Sequence, residues 1–155
     1  MLSLLLAQDG STTRLCETVA RGPIELHVIT QRVTDDVPTL VRQQLPGEQF
    51  IERITFLAAH GEVMMDNITY IALAGLDASI DADLRAGVMP IGHLLARLWV
   101  RRERIAGADE LTQRLWQAVG LPDAAATRAY RIATPESARM VIAETYRRGM
   151  LMDRG

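Results

Sequence analysis

A single cysteine, Cys16, is all the thiol this 155-residue chain contains, so no disulfide can form within it and a reducing compartment is its expected home. Long apolar runs are missing as well, none approaching the roughly 20 residues that span a bilayer. Residues 1–7 are apolar, but the stretch is short, lacks a basic flank and runs straight into Asp9, so no cleavable signal is expected. Neither sign of charge is in excess. With 17 basic and 19 acidic residues the net charge is −2, which provides no basic footprint for nucleic acid. The sequence has no GxSxG, P-loop or GxGxxG run, which argues against serine-hydrolase, NTPase and dinucleotide chemistry. Its three histidines, His27, His60 and His93, are far apart and form no HExxH-like pattern, so no metal site is expected. Repeats, low-complexity tracts and linkers are absent too. One continuous domain over residues 1–155, cytoplasmic and free of membrane segments, is the expectation.

What is present is the make-up of a globular domain, 48% apolar and 23% charged, with enough length for a substantial core. Ser11-Thr12-Thr13 opens a first helix, because hydroxyl side chains accept from the unpaired N–H groups of a helix start. Leu15, Cys16 and Val19 form its apolar stripe, and Gly22-Pro23 ends it. Residues 24–33 are rich in β-branched side chains and alternate as a strand does. Residues 34–48 read as a loop around a short helix containing Leu40 and Val41. Two further strands, 50–58 and 64–73, flank His60-Gly61, a hairpin turn. Residues 79–85 and 91–98 suit short helices, and 99–105 a fourth strand. Over residues 109–119, Leu111, Leu115, Trp116 and Val119 share a helix face that ends at Gly120 and Pro122. Residues 128–133 and 139–147 make a final hairpin. About six strands, joined by hairpins or short helical excursions, predict an antiparallel sheet and the α+β class.

Chemistry concentrates in few places. Along the last strand Met140, Ile142, Glu144 and Tyr146 share one face, because strand side chains alternate. A carboxylate among large apolar neighbours loses hydration, so either its proton affinity rises or a cation pairs with it. The plainer alternative has Glu144 near the strand end, reaching water or Arg147. Arg53 lies in a strand with apolar residues on both sides, a setting that suits bidentate capture of a carboxylate. An edge-strand arginine paired with Glu52 or Glu62 is the structural alternative. Met89-Pro90-Ile91-Gly92-His93 leads into a helix whose free N–H groups can bind an anion, and Asp9-Gly10-Ser11-Thr12-Thr13-Arg14 offers a similar arrangement. Cys16 sits on an apolar stripe and reads as a buried structural thiol. Arg101-Arg102-Glu103-Arg104 reads as a solvated strand edge whose arginines can also steer an anion.

These segments, in this order, resemble the chorismate pyruvate-lyase family, including its 4-hydroxybenzoate synthase branch. Asp9-Gly10-Ser11-Thr12-Thr13-Arg14 resembles the family's N-terminal segment, and Phe50-Ile51-Glu52-Arg53-Ile54-Thr55-Phe56-Leu57 the strand with its substrate-binding arginine. Met89-Pro90-Ile91-Gly92-His93-Leu94-Leu95 is similar to its Pro-Leu-Gly loop, Val141-Ile142-Ala143-Glu144-Thr145 to its glutamate-bearing strand, and Tyr130-Arg131-Ile132 also fits. The resemblance runs from Ala7 to Arg147. It implies a six-stranded antiparallel sheet with helical flaps over an internal ligand pocket. Arg53 would hold the ring carboxylate, backbone groups of Ser11 and Ile91 would lie beside it, and Glu144 would face the hydroxyl end. Some members carry Gly-Arg on the third strand, where this chain has Met65-Asp66-Asn67-Ile68. If that arginine holds the pyruvyl carboxylate, the task here falls to Arg128 or Arg131.

The implied activity is elimination of pyruvate from chorismate to give 4-hydroxybenzoate, with no cofactor. The small-molecule substrate and its product are the expected partners, with no nucleic acid and no membrane. Arg53 and Glu144 are the expected catalytic pair, with Ser11, Ile91 and Arg131 in substrate binding. A non-catalytic small-anion-binding domain of the effector-sensing (UTRA-like) type shares the implied fold. A lyase-like enzyme acting on a related aromatic precursor shares the pocket.

Overall fold

His60 and Gly61 both take positive φ, +54° and +77°, as the two central positions of a type I′ turn require. They join β2 (Phe50–Ala59) to β3 (Glu62–Ala72) in a long antiparallel hairpin. The computed structural model describes residues 12–74, 82, 101–135 and 138–151. Its remaining strands are β1 (Glu25–Thr34), β4 (Arg101–Arg104), β5 (Thr127–Ala133) and β6 (Ala138–Tyr146). All pairings are antiparallel, and the order across the six-stranded sheet is β1-β2-β3-β6-β5-β4. The six strands and the α+β class expected from the sequence are present, each described strand within a few residues of its expected place. The short helices expected at 79–85 and 91–98 lie outside the described residues.

Among the described residues three α-helices pack on the sheet: α1 (Thr12–Ala20), α2 (Thr39–Gln44) and α3 (Asp109–Val119). Asp109 and Glu110 occupy the first turn of α3, where carboxylates favour the positive end of the helix dipole. Gly120 closes it in the left-handed conformation, its N–H reaching the Trp116 carbonyl at 2.7 Å. Val41 of α2, with Leu111 and Leu115 of α3, packs on Phe50, Ile54, Ile68, Tyr70, Val141 and Ala143, and all of these are buried. Each aliphatic side chain so placed contributes about 1.5–3 kcal/mol through lost apolar surface. This is the main core, on one face of the sheet.

The other face is built differently. Helix α1 covers one end of it, setting Cys16 and Ala20 against Leu57, Met65, Tyr146 and Met150. Gly149 makes that closure possible, since a Cβ there would stand 2.6 Å from the Val63 carbonyl oxygen. The rest of this face carries buried polar side chains: Arg53, Thr55, Thr69, Arg128 and Glu144. Burying such groups without partners costs several kcal/mol, so a polar sheet interior marks a place built for something other than packing.

Candidate active site

Strand register assembles the polar face. Arg53 stands opposite Thr69, Thr69 opposite Ile142, and Ile142 opposite Tyr130. One step along, Thr55 faces Asn67, Asn67 faces Glu144, and Glu144 faces Arg128. All of these but Arg128, together with Thr12 and Thr13 of α1 and Arg102 of β4, line a cavity of about 460 Å³, open space at its mouth included.

Glu144 anchors one side of the cavity and is 1% exposed. Arg128 Nε donates to its Oε1 at 2.6 Å, and Thr12 Oγ1 donates to the same oxygen at 2.9 Å. Tyr130 Oη donates to Oε2 at 3.1 Å. Arg128 Nη2 in turn donates to Thr12 Oγ1 at 3.0 Å, so helix and two strands close one network. The Arg128 guanidinium also lies over the rings of Tyr130 and Tyr146, 5.1 and 5.7 Å from their centroids. Burial alone lowers the proton affinity of Arg128, but the Glu144 charge and the two tyrosines carry it above the ordinary arginine value. Burial, then the Glu144 charge, pushes the Tyr130 hydroxyl far up, which keeps it a donor. Glu144 is thus paired with a buried cation, one of the outcomes open to it in the sequence. Its partner is Arg128, whereas Arg147 pairs with Asp66 at 2.6 Å.

Arg53 holds the other side and is 0% exposed. Burial pulls its proton affinity down, the mark of a charge held away from water, where its field on an incoming anion is least screened. Strand β2 is internal to the sheet, so the edge-strand alternative does not apply. Glu52 points to the opposite face and receives bonds from Arg32 at 2.9 Å and from Tyr70 at 2.5 Å. Every one of the chain's 17 basic residues is an arginine, so each cation here is a planar fork suited to carboxylates rather than a point charge.

Arg131 requires a correction. It pairs in register with Val141, so it projects to the helix-covered face, where it binds Glu103 at 2.6 Å and Gln44 at 2.9 Å. Strand alternation separates it from Tyr130, its neighbour in sequence. Ser11 and Ile91, expected beside the ring carboxylate, lie outside the described residues. The structure thus brings Arg53 and Glu144 to one cavity and leaves Arg131 out of it. Thr12 and Arg102 also line the cavity, and Arg128 joins the site as the partner of Glu144. The in-phase spacing of Arg128, Tyr130 and Ile132 with Glu144 on a hairpin is their one sequence signal. Cys16 is buried as expected, its thiol raised to about 12 by burial and by the charges of Glu144 and Glu17.

The model of the Rv2949c-like chorismate pyruvate-lyase family matches residues 6–152. The chain belongs to this family. No curated protein matches it in sequence. Among solved structures it is similar to the C-terminal domain of the histidine utilization repressor from Pseudomonas syringae pv. tomato, with a TM-score of 0.52 at 11% identity over 86% of this chain and 97% of that one. A GntR-family transcriptional regulator from Bacillus cereus gives a TM-score of 0.52 at 11% identity over 85% and 96%. At such identity the likeness is one of fold, the chorismate lyase-like antiparallel sheet. Among the described residues no helix is long and apolar enough to cross a membrane, and no three His, Cys, Asp or Glu side chains gather as a metal site.

Proposed function

We propose that this family member is a chorismate pyruvate-lyase, releasing pyruvate and 4-hydroxybenzoate without a cofactor. The observation that carries the reading is the convergence of two fully buried groups, Arg53 from β2 and Glu144 from β6, on one cavity. Chorismate presents a ring carboxylate at one end and a ring hydroxyl at the other. Arg53 takes the carboxylate through charge-assisted hydrogen bonds. A carboxylate has about four acceptor sites, and among the described residues three donors fill three of those on Glu144. The remaining site, on Oε2, accepts from the ring hydroxyl.

Aromatisation drives the reaction, so the protein's task is to bind, desolvate and orient. The ether bond between ring and enolpyruvyl oxygen breaks, and that oxygen becomes the ketone of pyruvate. Hydrogen from the hydroxyl-bearing ring carbon passes to the enolpyruvyl methylene, which becomes the methyl group. The electron pair it leaves behind completes the aromatic ring. No external acid, base or oxidant enters this balance. A network in which Arg128, Thr12 and Tyr130 all donate to Glu144 supports a positioning role for it over delivery of a proton to the ether oxygen.

The repressor-domain fold motivates a second reading, a non-catalytic domain that binds small anions in the same cavity. Thermal shift and turnover, measured together, separate the two. Both readings expect 4-hydroxybenzoate to raise the melting temperature. Only the lyase reading expects pyruvate to accumulate from chorismate, and a stabilised protein that makes none would leave the binding domain.

A further inference from the structure

Chorismate carries two carboxylates, and Arg53 accounts for one of them. The remaining arginines of this half of the molecule are spoken for to different degrees. Arg128 is engaged by Glu144 and Thr12. Arg131 is on the far face with Glu103, and Arg147 is held by Asp66. Asn67, level with Glu144 on the central strand β3, is neutral. Arg102 is different. It pairs in register with Ile132, which puts it on the same face as Tyr130 and Glu144, and it lines the cavity. Its Nε is buried and has no hydrogen-bond partner among the described residues. An unfilled guanidinium donor on a residue that lines the cavity is a ready ligand group, since an unmade bond to a charged donor is costly. Strands β2 and β4 lie four spacings apart, roughly 19 Å at the backbone. Two long side chains entering from those distances can grip opposite ends of one ligand.

We infer that Arg102 is the second carboxylate anchor of the cavity, holding the enolpyruvyl carboxylate while Arg53 holds the ring carboxylate, so that the site selects dianions. This rests on the chorismate reading. Arg102 is a positioning residue at the sheet edge, and Glu103, its sequence neighbour, is turned away to Arg101 and Arg131. The consequence is a split between substrate and product. Once pyruvate leaves, 4-hydroxybenzoate has a single carboxylate and no further use for Arg102.

Steady-state kinetics with chorismate and calorimetric binding of chorismate and of 4-hydroxybenzoate test this on the wild type, Arg102→Met and Arg102→Lys. Arg102→Met is expected to raise KM for chorismate about tenfold or more with 4-hydroxybenzoate affinity unchanged, and Arg102→Lys is expected to recover part of the loss. An unchanged KM in Arg102→Met overturns the inference. So does an equal loss of 4-hydroxybenzoate affinity, which would make Arg102 a general support of the pocket wall. If the wild type binds chorismate without turning it over, the lyase reading fails. The binding comparison still decides Arg102, which must then distinguish the dicarboxylate from the monocarboxylate.

Discussion

Arg128 and Glu144 stand directly opposite each other in the β5–β6 register, 2.6 Å apart and both buried. A charge pair in such a place is held at a cost in hydration that only its completeness offsets. Removing one member strands the other, at about 3–5 kcal/mol. Glu144→Met and Arg128→Met should each lose stability of that order in urea unfolding, and the double variant should lose much less than their sum. Additive losses would show that the two groups are not coupled.

Arg53 presents the opposite balance. Arg53 is expected to serve anion capture more than packing, a trade common at functional sites. Arg53→Met should reduce chorismate turnover about 10- to 100-fold, while its melting temperature falls by less than that of Leu111→Ala, a cavity in the main core expected to cost about 2–5 kcal/mol. Circular-dichroism melts beside a pyruvate-release assay make the comparison. A variant that unfolds as readily as Leu111→Ala would mark Arg53 as structural.

Alternation and turn chemistry make the sheet legible in the sequence. Phe50, Arg53, Glu144 and Tyr146 all occupy the strands their spacing implies, and His60-Gly61 turns the hairpin it predicts. Pairing between distant strands is not legible there. Whether Arg128 or Arg131 meets Glu144 depends on the register of β5 against β6, and no local pattern reports that register. The same gap hides Arg102, whose run of charges resembles a solvated edge until β5 is placed beside it. Thr12 joins Glu144 across 132 positions of sequence, a contact that only tertiary packing creates.

Cys16 supplies a pH test. Its folded thiol is raised from the ordinary 9.0 to about 12, so the native state holds the proton more tightly than the unfolded chain. The stability this provides is fully present below about pH 9 and drains away as pH rises toward 12. Cys16→Ala, with nothing to titrate there, should show a flatter decline than the wild type as pH rises from about 9 toward 12. Parallel curves would mean the thiol is not the titrating group. The native thiol should also resist alkylation until the protein unfolds.

Gly149 packs a backbone where no side chain fits, against the Val63 carbonyl. Gly149→Ala must push Met150 away from α1, at about 1–3 kcal/mol. Because α1 brings Thr12 to Glu144, chorismate turnover should fall along with stability. A variant as stable and active as the wild type would show that the contact gives way freely.

Mixing purified protein with chorismate and identifying the products over time decides whether the cavity is a lyase site. Chorismate should disappear as 4-hydroxybenzoate and pyruvate appear in equal amounts, with no added metal or cofactor. Unconsumed chorismate at high protein concentration, or a different hydroxybenzoate isomer, would contradict it.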